Sequence, residues 1–198
     1  MMFTWPNALS FARILLTPLL FALALYQQPV WYLVVVAATI FTDLLDGYLA
    51  RRLNQVSRLG SQLDSWGDFF VYTTMALGAW ILWPAVVQRE ALYCVLLACS
   101  FVLPVLLGLV KFASTTSYHT WSTKAAVALG VIGYFLLFGG LAEWPFRAAA
   151  LLAVYAGIEE IAITLVLPKP RADVRSLRQA RAIARAKPWV RARQDGER

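Results

Sequence analysis

Charge is what this sequence has least of. Only 15% of its 198 residues are charged and 60% are hydrophobic, whereas soluble globular chains run near 25% charged and about 45–50% apolar. An ordinary water-soluble surface is therefore excluded, and the composition points to lipid. Histidine occurs once, at His119, and cysteine twice, at Cys94 and Cys99. Five residues apart in one apolar stretch, the two thiols point in different directions from a helix. They suggest neither a disulfide framework nor a metal knuckle, and both read as core or lipid-facing residues. No Lys or Arg precedes the first apolar stretch and Arg13 lies inside it, the opposite of a cleaved signal peptide. That stretch is expected to stay in the mature protein. Internal repeats of fixed period are also lacking.

What is present is six apolar blocks, Ala8 to Tyr26, Val30 to Ala50, Leu63 to Trp83, Ala91 to Ala113, Thr123 to Leu141 and Ala148 to Leu167. Each approaches the roughly 20 residues needed to cross a hydrocarbon core. The expected fold is all-α: an integral membrane bundle of six transmembrane helices over residues 1–168, followed by a basic cytoplasmic tail, 169–198. Arg51, Arg52 and Arg58 fall between blocks two and three, Lys111 and Lys124 flank the connection between four and five, and ten further Lys and Arg follow block six. By the positive-inside rule both termini and these connections face the cytoplasm. The opposite connections hold only Arg89 and Arg147, each near an acid, Glu90 and Glu143. Trp31, Tyr32, Trp83, Tyr118, Trp121 and Trp144 lie near block ends, as interfacial anchors do.

The tail from Lys169 carries Val174, Leu177, Ala180, Ile183 and Ala184 at roughly helical spacing among its basic residues, bounded by Pro170 and Pro188. A surface helix of about four turns attracted to anionic membrane lipids and a solvated tail that merely fixes topology are both open readings. A nucleic-acid partner is not needed to explain the charge.

Eight acids lie outside the tail, and four of them, Asp43, Asp46, Asp64 and Asp68, fall in or at the ends of blocks two and three. An ionisable group at membrane depth costs about 2.5–3.5 kcal/mol on insertion scales, so four together imply a use. Asp43 and Asp46 are spaced i, i+3, and Asp64 and Asp68 i, i+4, so each pair shares a helix face. A short connection makes the two helices antiparallel neighbours, which can set the pairs opposite each other. Self-repulsion of such a cluster is relieved by divalent cations, and hard carboxylate oxygens suit Mg²⁺, Mn²⁺ or Ca²⁺ rather than zinc. Gly47, Ala50 and Gly60 allow close approach of a ligand or helix, though plain helix packing explains Ala50 equally well. Arg51, Arg52 and Arg58 offer fork-shaped cations for phosphate oxygens, or simply the topology signal. Carboxylates, metal and arginines together make a site for a diphosphate.

The stretch Asp43-x-x-Asp46-Gly47-x-x-Ala50-Arg51, eight residues, then Gly60-x-x-x-Asp64-x-x-x-Asp68 resembles the signature of the CDP-alcohol phosphotransferase family at every fixed position. The resemblance implies six transmembrane helices, a homodimer, and transfer of a phosphatidyl or similar phospho-alcohol group from a CDP-linked donor to a small alcohol with release of CMP. It further implies that Asp43, Asp46, Asp64 and Asp68 bind the metal, two Mg²⁺ or Mn²⁺ ions, and that Asp68 is the general base. Gly47, Ala50, Arg51 and Gly60 would line the CDP pocket, and the site would face the cytoplasm, by the same resemblance at a bacterial inner membrane. The opening Pro6-Asn7-Ala8-Leu9-Ser10-Phe11-Ala12-Arg13 is similar to the start of bacterial phosphatidylglycerophosphate and cardiolipin synthases, which favours glycerol 3-phosphate or a phosphatidylglycerol as acceptor. Ser65 and Phe69 depart from the proline and lysine expected there, which leaves serine, inositol phosphate or another polyol open.

Lys111, His119 and Lys124 are candidates for an acceptor-phosphate pocket; topology charge and an interfacial hydrogen bond are the plain alternatives. Glu159 and Glu160, adjacent in block six, point about 100° apart on a helix, so at most one is expected to face an inner cavity. The competing function is a small divalent-cation transporter using the intramembrane aspartates, which leaves the gathering of acids, small residues and arginines at one end unexplained.

Overall fold

The computed structural model turns every apolar block into helix. It describes residues 5–52, 58–113, 118, 120–171 and 174–185, with the side chains of 5–12, 44, 46–51, 58–66 and 68 outside the described set. The described helices are α1 (Trp5–Leu25), α2 (Pro29–Arg52), α3 (Arg58–Leu82), α4 (Pro84–Arg89), α5 (Ala91–Phe112), α6 (Trp121–Phe138), α7 (Trp144–Val166) and α8 (Leu177–Arg185). Among the described residues there is no strand, so the all-helical expectation holds. Among the same residues α5, α6 and α7 are long and apolar enough to cross a membrane, and shorter apolar stretches run over Arg13–Leu25, Pro29–Asp43 and Phe69–Leu82.

The chain divides into two compact units, Met1–Arg89 and Glu90–Arg198. In the first, α1 packs along both α2 and α3, whereas α2 and α3 meet only briefly. One described meeting point is Tyr32, fully buried, whose hydroxyl donates to the Thr74 carbonyl at 3.1 Å and whose ring lies edge-on to Trp83. Gly78 makes room for it, since a Cβ there would lie 2.3 Å from the Tyr32 hydroxyl oxygen. Tyr32 is thus a core residue rather than an interfacial anchor, and Tyr118, 3% exposed, departs from expectation in the same way. Both find a hydrogen-bond partner inside, which is what a buried phenol requires. Trp31, Trp121 and Trp144 remain largely exposed, as anchors are.

In the second unit α7 is central, packed on both α5 and α6. Its buried residues include Ala149, Ala150, Ala153, Ala156 and Gly157. Small side chains let helix backbones approach closely, which is how helices associate where lipid supplies no hydrophobic drive. A Cβ on Gly157 would lie 2.8 Å from the Ser100 carbonyl oxygen of α5, and one on Gly133 of α6 would lie 2.7 Å from Cα of Phe146. Local chemistry sets the ends. Thr120 caps α6 by accepting from the Thr123 amide at 3.2 Å, Pro145 opens α7 where a missing N–H is harmless, and Gly140 takes φ +73° in the turn between them. That turn stops α6 at Phe138, three residues before the expected block end. At the same end of α7, Arg147 grips the buried Glu90 through two bonds of 2.7 and 2.8 Å and Glu143 through one of 2.6 Å. Arg147 therefore meets both of the acids on that side. Cys94 and Cys99 are free thiols.

The tail is neither a four-turn helix nor a wholly solvated segment in its described part. Among its described residues Leu177–Arg185 is the helical part, and Val174, Leu177, Ala180 and Ile183 pack with Tyr118, Ile163, Leu167, Phe112 and Val166. Its apolar side is consumed by protein, while Arg178, Arg181 and Arg185 stay exposed.

Candidate functional site

The backbone of α2 is helical through position 46 and that of α3 through 64 and 68, so the i, i+3 and i, i+4 spacings of the aspartates are helical ones. The side chains of Asp46, Gly47, Ala50, Arg51, Gly60, Asp64 and Asp68, and all of His119, lie outside the described residues. Asp43 is described, and it is held in a way the sequence did not suggest. Nη1 of Arg13, 1% exposed, lies 2.6 Å from Oδ1 of the partly exposed Asp43. Gly67, between Asp64 and Asp68, lies against that arginine; a Cβ there would be 3.5 Å from both Cδ and Nη1, ordinary contact. Arg13, on α1, thus joins α2 and α3 at the level of the signature. The only hint in the sequence was a cation inside an apolar block.

The donor set suits a hard divalent cation. Four carboxylates on two helices would offer oxygen ligands alone, and the one described member, Asp43, is ion-paired with Arg13.

In the second unit Lys111 and Lys124 are placed separately. The Lys111 ammonium donates to the carbonyls of Thr164, Leu165 and Leu167 at 2.8, 2.8 and 3.1 Å, so its three donors meet the C-terminal end of α7. That location satisfies carbonyls a helix end leaves over and sets a cation at the negative pole of the helix. Lys124 lies over the ring of Trp121 at 5.1 Å from its centroid, in the first turn of α6. Beside it, Ser122 Oγ donates to Glu159 at 2.5 Å and Thr123 Oγ1 to Glu160 at 2.7 Å. Both glutamates therefore turn to the N-terminal turn of α6, where the sequence allows only one of them to face inward. Consecutive hydroxyls on α6 match consecutive carboxylates on α7, and the positive end of α6 favours both charges. Glu159 also accepts from the Leu177 amide at 3.1 Å, capping α8 from another helix. Glu159→Ala is expected to loosen α8 by the usual worth of an N-cap, about 0.5–2 kcal/mol. Hydrogen exchange should then quicken several-fold over 177–185 while α5 to α7 keep wild-type protection.

Helices of membrane-spanning length, together with an acidic motif on α2 and α3 whose first aspartate is ion-paired to a buried arginine, are the features of a membrane protein that keeps charged groups in its apolar helices. The family model for CDP-alcohol phosphatidyltransferases matches residues 3–166, and the chain belongs to that family. It is 41% identical over 63 residues to the CDP-diacylglycerol–glycerol-3-phosphate 3-phosphatidyltransferase of Aquifex aeolicus, 32% of this chain and 35% of that one. It is 37% identical over 114 residues to the CMP-forming cardiolipin synthase of Streptomyces coelicolor, 54% and 52% of the two chains. With the Escherichia coli K12 CDP-diacylglycerol–glycerol-3-phosphate 3-phosphatidyltransferase it shares 40% over 73 residues, 34% and 39%. The chain spans about half or less of the length of these curated relatives. No solved structure matches it.

Proposed function

We propose that this protein transfers a phosphatidyl group from a CDP-linked donor, CDP-diacylglycerol, to the hydroxyl of a small alcohol, releasing CMP in phospholipid biosynthesis. The observation that carries this reading is the complete signature from Asp43 to Asp68 inside the matched region 3–166. Asp43, Asp46, Asp64 and Asp68 would hold two Mg²⁺ or Mn²⁺ ions, which when bound neutralise diphosphate charge. Asp68 takes the proton of the acceptor hydroxyl as its oxygen bonds to the β-phosphorus, and the bond from that phosphorus to the CMP oxygen breaks. Gly47, Ala50 and Gly60 give backbone clearance for the CDP moiety, and Arg51 pairs with its phosphates. Residues 1–168 form the transferase domain with six spans, residues 169–198 a basic tail, and both termini face the cytoplasm of a bacterial inner membrane, the enzyme acting as a homodimer. Glycerol 3-phosphate is the acceptor we favour: the opening Pro6 to Arg13 resembles phosphatidylglycerophosphate and cardiolipin synthases, and two of the relatives carry glycerol 3-phosphate in their names. Lys124 and Lys111 are the basic residues proposed for its phosphate, with Lys111 first having to release the α7 carbonyls.

CMP release by purified protein with CDP-diacylglycerol and Mg²⁺ is expected to rise on addition of glycerol 3-phosphate, and not of serine, inositol phosphate or phosphatidylglycerol. Stimulation by another alcohol would keep the reaction and replace the acceptor. Silence with every alcohol, together with no binding of the donor, would overturn the transferase reading in favour of cation transport.

A further inference from the structure

Arg13 is the largest of the fully buried side chains among the described residues. A guanidinium placed in an apolar helix costs about 2.5–3.5 kcal/mol on insertion scales and is retained where it has a charged partner and a task. Here the partner is Asp43, at 2.6 Å. Three features fix the arginine itself. It sits on α1, the helix that packs along both α2 and α3, Thr17 Oγ1 donates to its carbonyl at 3.3 Å, and α3 closes on its stem at Gly67. The burial is one-sided. Arg13 is sealed, whereas the Asp43 side chain is 36% exposed, so the carboxylate is fixed from the protein side and approachable from the other.

We propose that Arg13 is a positioning residue of the transfer site, holding the Asp43 carboxylate in the orientation in which it meets a divalent cation. This rests on the reading of Asp43 as a metal ligand. A carboxylate on a free rotamer must be ordered by each arriving ion, whereas one already held by a buried guanidinium meets it in place. Partners behind ligands of this kind are worth about 10–100-fold in metal affinity. A merely structural ion pair would support folding and leave that affinity untouched.

The test is direct Mn²⁺ binding to the purified protein, followed by electron paramagnetic resonance without substrate, with thermal unfolding of each variant alongside. Asp43→Asn should remove a Mn²⁺ site. Arg13→Gln should weaken that site about tenfold or more, Arg13→Lys should fall between Arg13→Gln and wild type, and Arg13→Gln added to Asp43→Asn should change the remaining binding no further. Wild-type Mn²⁺ affinity in folded Arg13→Gln would overturn the proposal. If that variant does not fold, wild-type affinity in Arg13→Lys overturns it equally. Mn²⁺ binding indifferent to Asp43→Asn would instead remove the ligand reading of Asp43 itself, and the proposal with it.

Discussion

Asp68→Asn is expected to lower turnover by about 10²–10⁴, the usual worth of a general base, while binding of the CDP donor remains detectable. The substitution keeps the size of the side chain and removes its capacity to accept a proton. It lies at the eleventh residue of α3, a helix of 25 that continues to Leu82, so no helix end is disturbed. Single-turnover CMP release measured beside equilibrium donor binding separates the two effects. Turnover within a few-fold of wild type would remove Asp68 as base. Loss of donor binding in step with turnover would place it among the metal ligands only.

Gly133→Val should be among the costly single changes in the second unit. The added Cβ would lie 2.7 Å from Cα and 2.8 Å from N of Phe146, and both obstructing atoms are backbone. No side chain can rotate away, so α6 and α7 must separate along their contact. Overpacking costs about 1–3 kcal/mol, and the rigidity of the obstacle argues for the upper end. At about 2–4 °C per kcal/mol for a chain of this size, the melting temperature in detergent should fall by several degrees. Gly130 is the internal control. Nothing lies within 4 Å of a Cβ there, so Gly130→Ala should leave the melting temperature unchanged or raise it slightly, as Ala outranks Gly inside a helix. Equal losses at both sites would mean that close approach at Gly133 is not what orders the pair.

Much of this was legible in the sequence because two strong signals coincide in it. Lipid demands long apolar runs, so Ala91 to Ala113 and Ala148 to Leu167 could be bounded within a few residues of α5 and α7. The spacing from Asp43 to Asp68 carries its chemistry at fixed intervals, and the family match contains it. What escaped was whatever depends on the neighbour rather than on the residue. Tyr32 and Tyr118 resemble interfacial anchors by position, but a glycine opposite the first and Thr164 beside the second make them core. Glu159 and Glu160 diverge on their own helix, yet Ser122 and Thr123 diverge to match. Arg13 could be seen as odd, while its partner thirty residues on could not be chosen from pattern alone. The basic tail was ambiguous for the same reason: its apolar positions fit a membrane surface as well as the cluster around Leu167.

Where the folded unit stops has a practical side. A boundary drawn by composition falls near Lys169, at the change from apolar to basic residues. Cutting there would leave Tyr118, Ile163 and Leu167 uncovered and deprive Glu159 of an amide partner. An expression tag or fusion therefore belongs beyond Arg185, where it extends from a docked helix, and not at the end of α7, where it would replace that helix.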